Sequence, residues 1–209
     1  MRPNEVHVWT AEAAAAHVVL RDILSWYLDR KPDQIEFRKN QFGKPFLVDA
    51  GPGRLEFNLS HSASLVTVAL ALQRPIGVDV ERIRPLPDLL LVAEDHFAPP
   101  ERALLAEASP PDRLRAFFTC WTRKEAYIKA LGTGLSAPLN TFDASIPAGA
   151  PGRRIESGAG FWWVADLPLP EGYAGAIAIE NGFDQLRQWR WTAPLSALPV
   201  PGAKKFVKI

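Results

Sequence analysis

The sequence predicts an α+β fold, and three observations predict it. A helical pattern followed by short strand patterns fills the first half of the chain, the same succession returns in the second half, and the apolar runs 65–72 and 173–180 hold comparable places in the two. No repeat is visible at the level of residue identity.

Residues 11–30 are rich in Ala and Leu and read as a helix, with Val18, Ile23, Trp26 and Tyr27 among its apolar members and Pro32 as its stop. Gly43 and Pro45 mark a turn, and short strands follow at 46–48 and 55–59. Residues 65–72 and 76–81 read as two paired strands joined through Gln73, Arg74 and Pro75. Beyond the Pro-rich stretch 84–87 the pattern is helical to Leu131, broken by Pro99, Pro100, Pro110 and Pro111 and ended by Gly132 and Gly134. A new unit is therefore expected to start near Ile83, dividing the chain into halves 1–82 and 83–209. Strand candidates 161–166 and 173–180 and a Trp-rich tail containing Trp189 and Trp191 complete it.

The composition is that of a globular protein: 209 residues, 47% hydrophobic and 22% charged, with 24 basic against 23 acidic residues. Without a block of Lys and Arg, a nucleic-acid partner is not expected. Cys120 is the single cysteine. The first residues lack a charged leader with an apolar run, and no stretch approaches the roughly 20 apolar residues that cross a bilayer, so a cytoplasmic protein without a membrane partner is expected.

Three places carry chemistry. In 76–81 a strand's period of two sends Ile76, Val78 and Val80 to one face and Asp79 and Glu81 to the other. The two carboxylates, with Cα atoms roughly 6.5 to 7 Å apart, can converge on one hard cation such as magnesium; a solvated acidic face is the plainer alternative. Along 112–131, Leu114, Phe117, Phe118, Trp121 and Ile128 form an apolar stripe. Glu125 falls inside it, about 40° from Trp121, with Lys129 about 40° further on. Inward charges need each other, a metal or a charged ligand, although an intrahelical ion pair would also satisfy them. The third place is Asn58-Leu59-Ser60-His61-Ser62 at a strand end, where hydroxyls, an imidazole and backbone groups can bind phosphate oxygens; a structural histidine is equally compatible. Ser beside His does not make a hydrolase here, since adjacency is not triad geometry and no GxSxG elbow is present.

These places lie within FGKPFL (42–47), FNLSHS (57–62), GVDVE (77–81) and FFTCWTRKEAYIKALGTGLS (117–136), followed by PLNTFD (138–143). In this order, from about Ile35 to Phe142, the chain resembles the Sfp-type phosphopantetheinyl transferases of the holo-[acyl-carrier-protein] synthase superfamily. The resemblance implies a pseudo-dimer of two similar α+β halves with coenzyme A and Mg2+ in the cleft between them. It implies Asp79, Glu81 and Glu125 as metal ligands, Lys44, Ser60 and His61 as contacts to coenzyme A phosphates, and Lys129 as the charge that neutralises the pyrophosphate and helps the leaving group depart. Glu125 would take the proton of the attacking serine, directly or through a bound water. The implied reaction moves the 4'-phosphopantetheine arm of coenzyme A onto a serine of an apo carrier protein (acyl, peptidyl or aryl) and releases 3',5'-ADP, in a monomer of the holo-[acyl-carrier-protein] synthase type.

One departure stands out: Trp9 and Thr10 lead almost directly into Ala11-Glu12-Ala13-Ala14-Ala15-Ala16, where the family carries a longer segment with basic side chains for the 3'-phosphate. Arg21 matches a helix arginine of the family, and Arg38 and Lys39 are candidate substitutes for the clamp. Weak retention of coenzyme A is the expectation. The alternatives are a noncatalytic carrier-protein binding module that keeps the fold, and a hydrolase of phosphopantetheine esters. The inward set Asp79, Glu81, Glu125 and Lys129 favours the transferase, because docking alone gives no reason to turn those charges inward.

Overall fold

The computed structural model describes residues 1–12, 15–134, 138–158 and 160–192. Ala13, Ala14, Leu135 and Ser136 of the segments named above, and residues 193–209 of the expected second half, lie outside them.

The chain forms β1 (Glu5–Glu12), α1 (Ala16–Leu28), a small hairpin of β2 (Phe37–Lys39) and β3 (Pro45–Leu47), then β4 (Leu55–Ser62), β5 (Leu65–Leu72) and β6 (Ile76–Arg82). Three helices follow, α2 (Leu89–His96), α3 (Pro99–Glu107) and α4 (Pro110–Leu131), and then β7 (Arg153–Ser157), β8 (Gly160–Asp166), β9 (Tyr173–Glu180) and β10 (Gln185–Trp191). The prolines that interrupt the helical pattern open α3 and α4, where a missing N–H costs nothing and a fixed φ suits the first turn. Gly132, at φ 69°, ends α4 in the left-handed conformation that a Cβ would disfavour.

The strands make two four-stranded sheets in the orders β10-β1-β5-β4 and β6-β9-β8-β7. Within them, β1-β5-β4 and β6-β9-β8 have the same layout. Each is a strand followed, after helix, by an antiparallel hairpin whose second strand lies in the middle. The layers run α1, first sheet, second sheet, α4. Trp9, Phe57, Val66, Val68 and Leu70 cover α1. Val6, Val8, Ala69 and Ala71 meet Ile76, Val78, Ile177 and Ile179 between the sheets. Ala176, Ala178, Trp162 and Val164 lie beneath α4.

Three expectations change. Residues 11 and 12 end a strand rather than start a helix. β1, paired along its edges with β10 and β5, runs on through Ala11 and Glu12, the start of the Ala-rich stretch that reads as helix. The runs 65–72 and 76–81 are strands but not partners. β5 already has β1 and β4 on its two edges, and residues 73–75 carry the chain into the other sheet, where β6 pairs with β9. The break expected near Ile83 falls after β6, whereas the sheet changes before it, at Gln73–Pro75, and β10 returns to pair in parallel with β1.

Candidate active site

Two edge strands, β4 and β6, meet where the sheets adjoin, and α4 crosses β6. Gly77 permits that crossing: a Cβ there would stand 2.0 Å from the carbonyl oxygen of Ala126 and 2.4 Å from the amide nitrogen of Ala130. With no side chain at 77 and small ones at 126 and 130, helix and strand backbones touch. Asp79, two residues along the same face, is thereby brought under the helix side that carries Glu125 and Lys129.

Asp79 is 4% exposed. Its Oδ1 accepts from the Lys129 ammonium at 2.6 Å and from the Ser60 hydroxyl at 2.9 Å. Lys129 Nζ also lies 3.1 Å from Ser60 Oγ. The other oxygen, Oδ2, is buried without a hydrogen-bond partner. Burial pushes the Asp79 pKa up, against the lowering pull of Lys129 and Ser60. Glu125 is half-buried, and its pKa is raised by burial first and then by repulsion from Asp79 and Glu81, with Lys129 opposing. Glu81 accepts at Oε2 from Ser62 Oγ at 2.8 Å and from Arg84 at 3.3 Å. Asp79, Glu81, Glu125, Lys129 and Ser60 are thus assembled from β4, β6 and α4. Among the described residues, no group of three His, Cys, Asp or Glu side chains is arranged to hold a metal ion.

Lys44 and His61 stand apart. Lys44 Nζ donates to the carbonyls of Ile76 at 3.1 Å and Ala130 at 3.0 Å, about 10 Å along β6 from Asp79. It ties an orphan carbonyl in the last turn of α4 to the start of β6, and burial lowers its pKa to about 8. Two of its three N–H groups are engaged, which leaves one for an anion. His61 is exposed and, by alternation along β4, faces away from Ser60. Arg38 and Lys39 are exposed on β2. Arg21 donates to the carbonyls of Pro32 and Ile35 at 2.6 and 2.8 Å, holding that loop on α1.

The sequence reading offered Asn58 and Ser62 only within a phosphate-binding cluster, without their contacts to β6, and gave no role to Gly77 or the Lys124–Glu101 pair. The last is fully buried: Lys124 Nζ lies 2.7 Å from Glu101 Oε2 and donates to Leu139 and Phe142 carbonyls at 2.7 Å each. Glu101 in turn accepts from the amides of Ala98 and Ala144 at 2.7 Å. This network binds the PLNTFD segment and the start of α3 to α4. Alternation of Asn58, Ser60 and Ser62 along β4 was the available signal for the first two, since period two places all three polar groups on one face.

The profile of the 4'-phosphopantetheinyl transferase superfamily matches residues 75–178, a span containing β6, α4 and β9. The 4'-phosphopantetheinyl transferase HetI of Nostoc sp. is 34% identical over 178 residues, covering 85% of this chain and 74% of its own. The transferase gsp of Aneurinibacillus migulanus is 38% identical over 60% of this chain and 50% of its own, and Sfp of Bacillus subtilis 32% identical over 62% and 55%. This chain therefore spans about half the length of several curated relatives it matches. A solved structure, the Thermotoga maritima holo-[acyl-carrier-protein] synthase, matches 52% of this chain and 63% of its own at 20% identity and a TM-score of 0.35, too slight a likeness to argue from. HetI, matched across most of both sequences, carries the assignment: this chain belongs to the 4'-phosphopantetheinyl transferase superfamily.

Proposed function

We propose that this chain moves the 4'-phosphopantetheine arm of coenzyme A onto a serine of an apo carrier protein, the transfer for which its curated relatives are named. The observation that carries the reading is the meeting of Lys129 and Glu125 with Asp79, which family membership alone does not supply. The two similar sheet-and-helix units act as a pseudo-dimer with the reaction at their junction. The product is of the holo-[acyl-carrier-protein] synthase type.

The residues suit a divalent cation in donor chemistry, though the three are not drawn together as a ligand group: Asp79, Glu81 and Glu125 are hard oxygen donors, and Asp79 Oδ2 is a buried carboxylate oxygen left without a partner among the described residues. These three residues would hold magnesium, which when bound polarises the pyrophosphate oxygens. Lys129 contributes the second positive charge and stabilises the departing phosphate. Glu125 would take the proton of the attacking serine, directly or through a bound water. Lys44, just ahead of β3, would offer its remaining N–H to a coenzyme A phosphate, Ser60 would meet one only by giving up its hydrogen bond to Asp79, and His61 would do so from the opposite, exposed face of β4. The enzyme works as a monomer in the cytoplasm, without nucleic acid or membrane.

Incubation with coenzyme A, Mg2+ and a panel of apo carriers, read by intact mass, tests this. Gain of the arm is expected on at least one carrier, with 3',5'-ADP released. Carrier binding without mass gain would leave the noncatalytic module, and loss of the arm from a holo carrier would mark a hydrolase.

A further inference from the structure

Among the described residues β6 is the edge of its sheet, with β9 on one side and no strand on the other, so alternate N–H groups on its free edge have no ladder partner. Side chains of β4 take that place. Val78 N–H donates to Asn58 Oδ1 at 2.9 Å, Val80 N–H to Ser60 Oγ at 3.3 Å and Arg82 N–H to Ser62 Oγ at 3.0 Å. The offset is 20 residues at every rung, so β4 and β6 run in register with side chains standing in for a backbone ladder.

The second and third rungs do more. A hydroxyl that accepts from a backbone N–H has one proton of its own to direct. Ser60 gives it to Asp79 Oδ1 at 2.9 Å, and Ser62 gives it to Glu81 Oε2 at 2.8 Å. In both, the carboxylate belongs to the residue just before the donating amide, so one small arrangement is used twice, two residues apart. The first rung has an amide in place of a hydroxyl and no carboxylate, because position 77 must be glycine for α4 to lie on the strand.

We infer that Ser60 and Ser62 are positioning residues: each hydroxyl occupies one oxygen of its carboxylate and fixes the rotation of the group, so that the other oxygen of Asp79 and of Glu81 is presented to the site. Terminal carboxylate torsions are broad, so without a directional donor both oxygens sample several orientations. The seam that joins the two sheets therefore also aims the acidic groups. Ser62, to which the family resemblance gives no role, is the sharper case, since Lys129 also holds Asp79 whereas Glu81, among the described residues, is held by Ser62 and the more distant Arg84.

This inference rests on the metal reading of Asp79, Glu81 and Glu125, and the experiment separates the two. Mn2+ affinity is measured by the electron paramagnetic resonance of free Mn2+ in the presence of coenzyme A, and melting temperature without metal, for the wild type, Asn58→Ala, Ser62→Ala and Ser62→Thr. Asn58→Ala and Ser62→Ala each remove an acceptor from a β6 amide and should both lower the melting temperature. Only Ser62→Ala should weaken Mn2+ binding, by about 10-fold or more, as for the loss of a group that orients a metal ligand. Ser62→Thr, which keeps the hydroxyl, should restore it. Equal weakening in Asn58→Ala and Ser62→Ala, or unchanged affinity in Ser62→Ala, would overturn the positioning role while leaving the metal site intact. A wild type that binds no Mn2+ would overturn the metal reading, and the positioning role with it.

Discussion

Lys129 Nζ stands 2.6 Å from Asp79 Oδ1, and the aspartate side chain is 5% exposed against 31% for the lysine. The carboxylate is therefore the member that depends on the pair. Taking the lysine away leaves a buried charge with only Ser60 to answer it, whereas taking the aspartate away leaves an ammonium that water can reach. Lys129→Ala should destabilise the fold by about 1.5 to 3 kcal/mol, the range for hydrogen bonds to charged groups. Adding Asp79→Asn to that variant should return part of the stability by removing the orphan charge, but no activity. Chemical denaturation of the two single variants and the double gives the coupling. Additive losses would mean that the pair does not interact.

Asp79→Ala and Glu125→Ala should each lower transfer by more than ~100-fold, the lower end of typical effects for a positioned acid–base group. Their far-ultraviolet circular dichroism should match the wild type. Near-full activity of either variant at limiting magnesium would remove that residue from the site.

Gly77→Ala should be worse than its size suggests. A Cβ 2.0 Å from the Ala126 carbonyl oxygen meets helix backbone, which cannot turn aside as a side chain can. α4 must shift away from β6, and Glu125 and Lys129 shift with it. We expect a stability loss of about 1 to 3 kcal/mol, as for other overpacked contacts, together with loss of transfer. Unaltered kinetics in a folded Gly77→Ala protein would show that the contact does not set the site's geometry.

The sequence made the α+β class legible because most helices and strands keep a clear period. The end of β1 was read as a helix start because Ala11 and Glu12 open an Ala-rich run, and composition there outweighs strand pairing that depends on distant residues. The partner of β6 was illegible for another reason: β9 lies about a hundred residues away, while β5 is next in sequence. At the site, the shared face of Asp79 and Glu81 and the inward placement of Glu125 and Lys129 follow from periodicity alone. The duties of Ser62 and Gly77 do not, since each is defined by contact with an element far along the chain. Lys44 shows the remaining limit. The family resemblance made it a phosphate contact, and nothing local tells that its ammonium rests on two carbonyls.

The buried Lys124–Glu101 pair should be costly to break and cheap to replace whole. Lys124→Met leaves Glu101 charged and desolvated at 2% exposure, for an expected loss of about 3 to 5 kcal/mol. Glu101→Gln with Lys124→Met should recover part of it, although the Leu139 and Phe142 carbonyls stay without their donor. Thermal denaturation of the wild type and the two variants decides this, and a double variant no more stable than Lys124→Met would refute the desolvation argument.

The pH dependence of stability should show one step that does not come from the site. His7 is 6% exposed, with Nδ1 2.5 Å from the Tyr27 hydroxyl oxygen and Nε2 3.3 Å from Glu5 Oε2. Trp9 Nε1 already donates to the Tyr27 oxygen, so the hydroxyl proton is directed at Nδ1, which suits a neutral ring protonated at Nε2. Burial, against the pull of Glu5 and with the amino terminus and Arg187 opposing a positive charge, lowers its pKa from 6.5 to about 4. The folded state thus binds the proton less readily than the unfolded chain. This contribution is fully present above pH 6.5 and is lost as pH falls from 6.5 toward 4. At about 1.36 kcal/mol per pKa unit the ceiling is about 3 kcal/mol. The pKa of Glu5 is itself held below its ordinary value, chiefly by the Arg2 amide. Urea denaturation between pH 7.5 and 4.5 should show the wild type losing stability through the window. His7→Gln should start less stable, lacking the ring's contacts with Tyr27 and Trp189, and should lose less on acidification. The gap between the two proteins should therefore close as pH falls, and a gap of constant size across the range would mean that His7 is not the group that titrates.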